Sequence, residues 1–206
     1  MIKKPKFIAF EGIDGCGKST QAKRLADRLI QQGDTVHLTA EPSTRPIGKM
    51  IRDIFAHKLD ADDRTIAALF VADRLDHVIN HEEGILANLE KGITVICDRY
   101  YLSSYAYQGS LVPLDWVMNA NALCVELAKP TIHIYIDIPV ELSFERLQNS
   151  RAFLERYETM ENLKRVRDMY FEVITLLKEQ EHLVILDGTQ SIDAIAEDVW
   201  DEVRRL

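Results

Sequence analysis

The 206-residue sequence has no apolar run long enough to cross a bilayer, so a membrane-spanning helix is not expected and no membrane partner is assigned. Residues 1–12 carry three lysines, but the apolar stretch at 7–10 is too short for a signal-peptide core and Glu11 closes it. Cysteine is scarce. Cys16, Cys97 and Cys124 have neither the paired spacing of a metal site nor the even count of a disulfide framework, which points to a reducing compartment and a cytoplasmic location. Basic residues are in deficit: 25 Lys and Arg against 33 Asp and Glu give a formal charge of −8, a poor match to a polyanion, so nucleic acid is excluded as a partner. A small anionic substrate stays open, because a few arginines in one cleft create a positive field that net charge hides. Internal repeats, low-complexity tracts and linkers are also missing, and residues 1–206 read as one domain with enough apolar content, 47%, for a single core.

What the sequence does contain is an alternation. Short runs rich in β-branched and aromatic residues at 7–11, 35–39, 93–98, 131–137 and 182–187 predict five strands. Their nearly continuous apolar character, as in Val95-Ile96-Cys97, predicts strands covered on both faces. Helical spacing falls between them: Ala22, Leu25, Ala26, Leu29 and Ile30; Ile66, Leu69 and Phe70; Leu163, Val166, Tyr170, Val173, Ile174 and Leu177; Ile192, Ile195, Val199 and Val203. Strands alternating with helices predict an α/β three-layer sandwich around a central five-stranded parallel sheet, with ligands at the carboxyl ends of the strands. Residues 148–161 are polar, charged and weakly periodic, and are expected to form a lid.

Gly12-Ile13-Asp14-Gly15-Cys16-Gly17-Lys18-Ser19 satisfies the phosphate-loop pattern G-x-x-x-x-G-K-[ST], directly after a predicted strand and at the start of a predicted helix. Backbone N–H groups and the helix dipole then converge on one anion, the glycines let the main chain curl round phosphate oxygens, and Thr20 continues the cradle. Lys18 is expected at the β- and γ-phosphates of ATP and the Ser19 hydroxyl on Mg²⁺. The loop alone does not separate a hydrolase, a switch and a kinase. The chain lacks an Asn-Lys-x-Asp or Thr-Lys-x-Asp segment, which disfavours a guanine-nucleotide switch.

Transfer between two anions needs positive charge around both. Asp98 and Arg99 end the third predicted strand, so they should emerge beside the loop, Asp98 to hold Mg²⁺ and Arg99 to fork onto an acceptor phosphate. A solvated Asp-Arg pair in a turn is the plain alternative. Phe70 and Arg74 lie four apart on one predicted helical face, where a flat base can stack on the ring while the guanidinium donates to a carbonyl. Taken alone, that pair reads equally as a core phenylalanine and a solvated arginine.

Taken together, the loop 11–21, Glu41-Pro42, Leu69-Phe70-Val71-Ala72-Asp73-Arg74, the segment 98–109 (D-R-Y-Y-L-S-S-Y-A-Y-Q-G) and 135–141 (Y-I-D-I-P-V-E) with Arg146 give the chain a resemblance to thymidylate kinases nearly end to end. The resemblance implies a phosphate-loop kinase fold and transfer of the γ-phosphoryl group of ATP to dTMP. It implies that Asp14 accepts from the sugar 3′-hydroxyl, Phe70 stacks on thymine, Arg74 donates to its 4-carbonyl, and Ser104 and Gln108 read the base edge. Tyr107 would occupy the space of a ribose 2′-hydroxyl, Arg146 would lie by the donor adenine, and Arg151 and Arg156 would belong to the lid. A homodimer is implied as well. A phosphate monoester loses its second proton near pH 6, so the acceptor needs no strong general base, and His57, His77, His81 and His133 are expected to be surface or core residues.

The sequence departs from the family at two places. Ala40 stands where bacterial members often have an Arg before Glu41-Pro42, so Arg45 or Arg52 must supply that acceptor-phosphate contact, with Arg52 preferred. Gly15 stands where eukaryotic members often have a loop arginine, which moves the catalytic arginine to the lid, Arg151 or Arg156. A kinase for another deoxynucleotide or a modified pyrimidine, and a catalytically idle nucleotide-binding protein, are the competing readings. Intact Lys18, Ser19, Asp98 and Arg99 argue against the second.

Overall fold

The computed structural model describes residues 4–150 and 157–206. Five parallel strands, β1 (Phe7–Glu11), β2 (Val36–Ala40), β3 (Thr94–Asp98), β4 (Ile132–Asp137) and β5 (Leu183–Asp187), form one sheet in the order β2-β3-β1-β4-β5. Each predicted strand is present within one residue at its ends. β1 is buried along its whole length, and β3 and β4 are buried up to their final aspartates, as expected for strands covered on both faces.

Parallel neighbours need crossovers, and helices supply them: α1 (Lys18–Gln31), α2 (Pro46–Phe55), α3 (Asp63–Ile79), α4 (Ile85–Glu90), α5 (Tyr101–Tyr107), α6 (Leu114–Leu127), α7 (Val140–Ser150), α8 (Met160–Leu177) and α9 (Ile192–Val203). Local chemistry sets several starts. Asp62, Thr159 and Ser191 cap α3, α8 and α9 by accepting from the N–H of Arg64, Asn162 and Ala194, and Pro46 opens α2. The three-layer α/β sandwich predicted from the alternation is therefore the fold observed. Residues 148–150 end α7 and 160–161 open α8, so both ends of the weakly periodic 148–161 segment are helical. Arg151 and Arg156 lie outside the described residues.

The register brings functional groups together. Phe10 of β1 pairs with Asp98 of β3, Glu11 with Tyr135 of β4, and Ala40 of β2 with Asp98. β1 sits between β3 and β4, so the loop that follows it starts among the carboxyl ends of its neighbours. The main core surrounds the sheet. A smaller cluster of Ile51, Ile54, Ile66 and Phe70 joins α2 to α3 at the rim of the cleft described next.

Candidate active site

A cleft of about 1390 Å³ opens at the carboxyl edge of the sheet, and residues 14–21 form one of its walls. Gly12 and Gly15 have φ of +145° and +74°, backbone that a side chain resists. Close packing reinforces the choice: a Cβ at Gly12 would lie 2.7 Å from Cys16 Sγ and 2.8 Å from Ile136 O, and one at Gly15 would lie 2.8 Å from Ser143 O. The Ser143 hydroxyl of α7 also donates to Asp14 O at 2.5 Å. An arginine at position 15 is thus blocked by α7 as well as by φ. At Gly17, φ +96°, α1 begins with no side-chain cap and no acidic residue in its first turn, leaving its leading N–H groups for an anion. Gly12 and Ile13 sit beneath the cradle instead of on the cleft wall. Ile13 O accepts from Cys16 N–H and from Lys18 Nζ at 3.4 Å.

Ser19 Oγ donates to Asp98 Oδ2, joining the start of α1 to the end of β3, while Asp98 Oδ1 is buried with no hydrogen-bond partner. A hydroxyl and a carboxylate with an unfilled buried oxygen make a hard-oxygen donor pair that suits a divalent cation such as Mg²⁺. Asp98 and Arg99 are not a solvated pair in a turn, because each has its own partners. Arg99 Nη1 donates to Gly12 O and to Ser103 Oγ, both at 3.1 Å; Nη2 donates to Asp14 Oδ1 and, at 3.1 Å, to Tyr107 Oη. Tyr107 in turn donates to Asp14 Oδ2 at 2.8 Å and lies under the Arg99 guanidinium, 4.7 Å from ring centre to Cζ. Burial alone raises the Asp14 pKa, but the charges of Arg99 and Lys18 outweigh it and hold the carboxyl far below the usual range.

The acceptor wall comes from α3 and α5. Phe70 belongs to the small core cluster and also faces the cleft, so stacking and core roles coincide in one ring. The solvated alternative for Arg74 is overturned: its side chain is 1% exposed. Arg74 Nη2 lies 2.6 Å from Glu41 Oε2, and Nη1 donates to Ser104 Oγ at 3.0 Å and Asn121 Oδ1 at 2.5 Å, while Nε is buried without a partner. Glu41 lines the cleft beside Arg74. His77 Nδ1 is 3.1 Å from Glu41 Oε1, and His77 Nε2 is 2.8 Å from Thr39 Oγ1. Glu41, His77 and Cys97 each bring one potential ligand atom within 4.8 Å of the others. Arg74 already neutralises Glu41, and burial pushes the Cys97 thiol well up, so the group serves as a polar core around Arg74 and does not suit a metal.

The two candidates for the contact missing at Ala40 separate cleanly. Arg45 turns away to ion-pair with Asp76, whereas Arg52 is on the cleft wall, its Nη1 donating to Pro42 O at 2.9 Å and Ser43 O at 2.5 Å. Ser104, Tyr107, Gln108 and Arg146 also line the cleft, with Arg146 donating to Gly15 O at 3.3 Å and Gly188 O at 3.4 Å. Of the histidines, His77 and His133 are buried and His57 and His81 exposed, as expected. Three contributors carry no sequence signal. Asn121 is a buried polar residue in a helix without clear amphipathic spacing, Asp73 holds Ser43 through its N–H at 2.7 Å and its hydroxyl at 2.6 Å, and Tyr157 packs edge-on against Phe55.

The family model described as thymidylate kinase matches residues 10–199. A protein of Pyrococcus abyssi named "Probable thymidylate kinase" is 37% identical over 199 residues, covering 94% of this chain and 93% of the relative. The thymidylate kinase of Thermosipho africanus is 36% identical over 202 residues, covering 97% and 98% respectively, and that of Thermoanaerobacter sp. strain X514 is 35% identical with 98% of each covered.

Proposed function

The chain belongs to the thymidylate kinase family, and on that premise we propose that its cleft moves the γ-phosphoryl group of ATP onto dTMP, giving dTDP and ADP. The carrying observation is a single cleft with a donor loop on one wall and an acceptor pocket on the other, tied together by Arg99.

On the donor side, the N–H groups of 15–20 cradle the ATP phosphates, Lys18 neutralises the β- and γ-oxygens, and Arg146 flanks the adenine beside Gln190, Ile192 and Ile195. Ser19 and Asp98 would hold Mg²⁺, which when bound offsets phosphate charge. On the acceptor side, thymine stacks on Phe70, and Arg74 donates to its 4-carbonyl while Ser104 and Gln108 meet the remaining edge. Tyr107, fixed by Asp14 and Arg99, fills the space of a 2′-hydroxyl and so favours the deoxy sugar. Arg52 and Arg99 meet the acceptor phosphate. An incoming phosphate competes with Asp14 for Arg99 Nη2, and the released carboxylate accepts from the sugar 3′-hydroxyl. No base is needed, since the acceptor oxygen is already ionised above pH 6 or so. Charge neutralisation and in-line positioning do the work.

The reading is tested by ADP release across the nucleoside monophosphates. dTMP is expected to have the highest kcat/KM; preference for an acceptor other than dTMP and its close analogues overturns the assignment, and ATP binding with no turnover on any acceptor favours an idle nucleotide-binding protein.

The implied homodimer has a surface that suits it. α6 exposes Trp116, Leu123 and Leu127 at spacings of seven and four, and the neighbouring α3 exposes Ile79. Sedimentation equilibrium is expected to give a dimer that Leu123→Glu splits into monomers; a wild-type monomer at micromolar concentration rules the dimer out. The thiols Cys16, Cys97 and Cys124 are all buried and unpaired, which supports a reducing, cytoplasmic setting. Among the described residues, no helix is long and apolar enough to cross a membrane.

A further inference from the structure

Arg99 occupies an unusual backbone state. Its φ is +72°, in the left-handed region that a residue with a side chain resists, so surrounding contacts must impose it. Arg99 N–H donates to Phe10 O at 2.9 Å, and the Cys97 thiol donates to Arg99 O at 3.0 Å. The remaining constraints converge on one side chain that has no part in the mechanism so far. Glu11, fully buried at the end of β1, accepts from Tyr100 N–H at 3.0 Å through Oε1, and through Oε2 from Ser103 Oγ at 2.6 Å and Tyr170 Oη at 3.2 Å. Ser103 Oγ is also the atom that receives Arg99 Nη1. One carboxylate therefore grips both the peptide that follows the kink and the hydroxyl that braces the guanidinium.

We infer that Glu11 is a positioning residue for phosphoryl transfer: its carboxylate locks the Arg99–Tyr100 turn and the Ser103 hydroxyl so that the Arg99 guanidinium points into the cleft. The inference rests on the dTMP kinase reading of that cleft. In its ionised form Glu11 accepts all three donors. Once protonated, one oxygen becomes a donor and the carboxyl accepts fewer and weaker hydrogen bonds, so its hold on these donors slackens. Burial pushes the Glu11 pKa up to about 7, against the lowering effects of the Ser103 hydrogen bond and the Arg99 charge. The grip is thus complete above pH 7 and loosens as pH falls through that value. The other groups around Glu11 do not change charge in this range. Arg99 and Arg74 stay protonated, burial raises Cys97 and Tyr170, and burial lowers His133, whose Nδ1 is 4.0 Å from Glu11 Oε1, to about 3.

The test compares wild type and Glu11→Gln by kcat/KM for dTMP at saturating Mg-ATP from pH 5.5 to 9. Gln mimics the neutral carboxyl and keeps its shape, so the variant is expected to fold. The wild-type to variant ratio is expected near 1 at pH 5.5 and about 10²-fold at pH 9, with a midpoint near 7. The acceptor's own ionisation near pH 6 cancels in that ratio. Glu11→Asp, which keeps the charge on a shorter arm, is expected to be slower but to retain the pH dependence. A ratio that does not change with pH, or full activity of Glu11→Gln at pH 9, overturns the inference. Absence of wild-type turnover with dTMP is instead a failure of the kinase reading. In that event the Arg99 Nε–H resonance still decides: it is expected to titrate with a midpoint near 7 in wild type and to be flat in Glu11→Gln, and a flat wild-type resonance overturns the positioning role.

Discussion

Replacing Arg99 with alanine is expected to lower kcat/KM for dTMP by about 10²–10³-fold, the scale of losing one preorganised donor in a phosphate or oxyanion site, while Mg-ATP affinity stays near its parent value. The asymmetry follows from where the guanidinium sits. It bridges Asp14 and Gly12 of the loop to Ser103 and Tyr107 of α5, whereas the N–H cradle of Gly17 to Thr20 makes no use of it. Removing it also releases Asp14 from its strongest ion pair and leaves the Tyr107 hydroxyl with one partner fewer, so discrimination against ribose acceptors should weaken along with turnover. Arg99→Gly provides the control. Glycine deletes the same guanidinium but accepts φ +72° without strain, so it should be the more stable variant by about 1 kcal/mol and yet equally impaired. If the glycine variant regains activity, the alanine defect lies in the backbone and the guanidinium is not a substrate contact. If Mg-ATP affinity falls as far as dTMP affinity, Arg99 serves the donor side.

The parts of this fold that the sequence makes legible are those where one physical cause dominates. β1, β3 and β4 are covered on both faces, so only apolar residues fit and the runs stand out. α1, α8 and α9 each bury one stripe, and the stripe shows as 3.6-residue spacing. Three helices escape that logic: α5 is buried on every side, so Tyr101 to Tyr107 carries no periodicity; α4 has only six residues; and α6 keeps apolar residues on its outer face, which blurs the pattern. α2 and α7 do bury one stripe each, Gly48, Ile51 and Ile54 in the first and Val140, Ser143 and Leu147 in the second, but each stripe is only three residues long and includes a glycine or a serine.

The site divides in the same way. The phosphate loop is legible because positive φ at Gly12, Gly15 and Gly17 is a local demand that eight consecutive residues encode, although β4 and α7 add long-range packing against Gly12 and Gly15. Arg74 is different. From its own helix it reads as solvated, because the partners that bury it, Glu41, Ser104 and Asn121, come from 33 residues before it and up to 47 residues after it, and no spacing rule connects them. Arg45 and Arg52 could be separated only once Asp76 was seen to hold the first. Resemblance bridged part of this distance by placing Glu41 and Arg74 in one set of motifs, and in the structure both lie at the cleft, with the Glu41 carboxylate turned to Arg74 and His77.

That placement makes Glu41 the residue whose loss should most damage stability. Glu41 and Arg74 are both about 1% exposed, and removing one partner of a buried pair leaves the other charge without compensation, at a cost of roughly 3–5 kcal/mol. Glu41→Gln keeps the shape and one acceptor oxygen, so the lower end, about 3 kcal/mol, is expected. For a domain of this length that corresponds to a fall in Tm of about 6–12 °C, measurable by calorimetry. The functional consequence should be separable from the unfolding. Below the new Tm, Arg74 loses the contact that fixes its orientation and its guanidinium no longer meets the base carbonyl squarely, so KM for dTMP should rise more than kcat falls. A paired replacement, Glu41→Gln with Arg74→Met, removes the stranded charge and should recover most of the stability while leaving the base edge unread. The double variant is then expected to be stable and to have lost its preference for thymine over other pyrimidines. Should it keep that preference, thymine is recognised by Ser104 and Gln108 and the buried pair is structural; should Glu41→Gln melt at the wild-type temperature, the pair contributes nothing that the amide cannot replace.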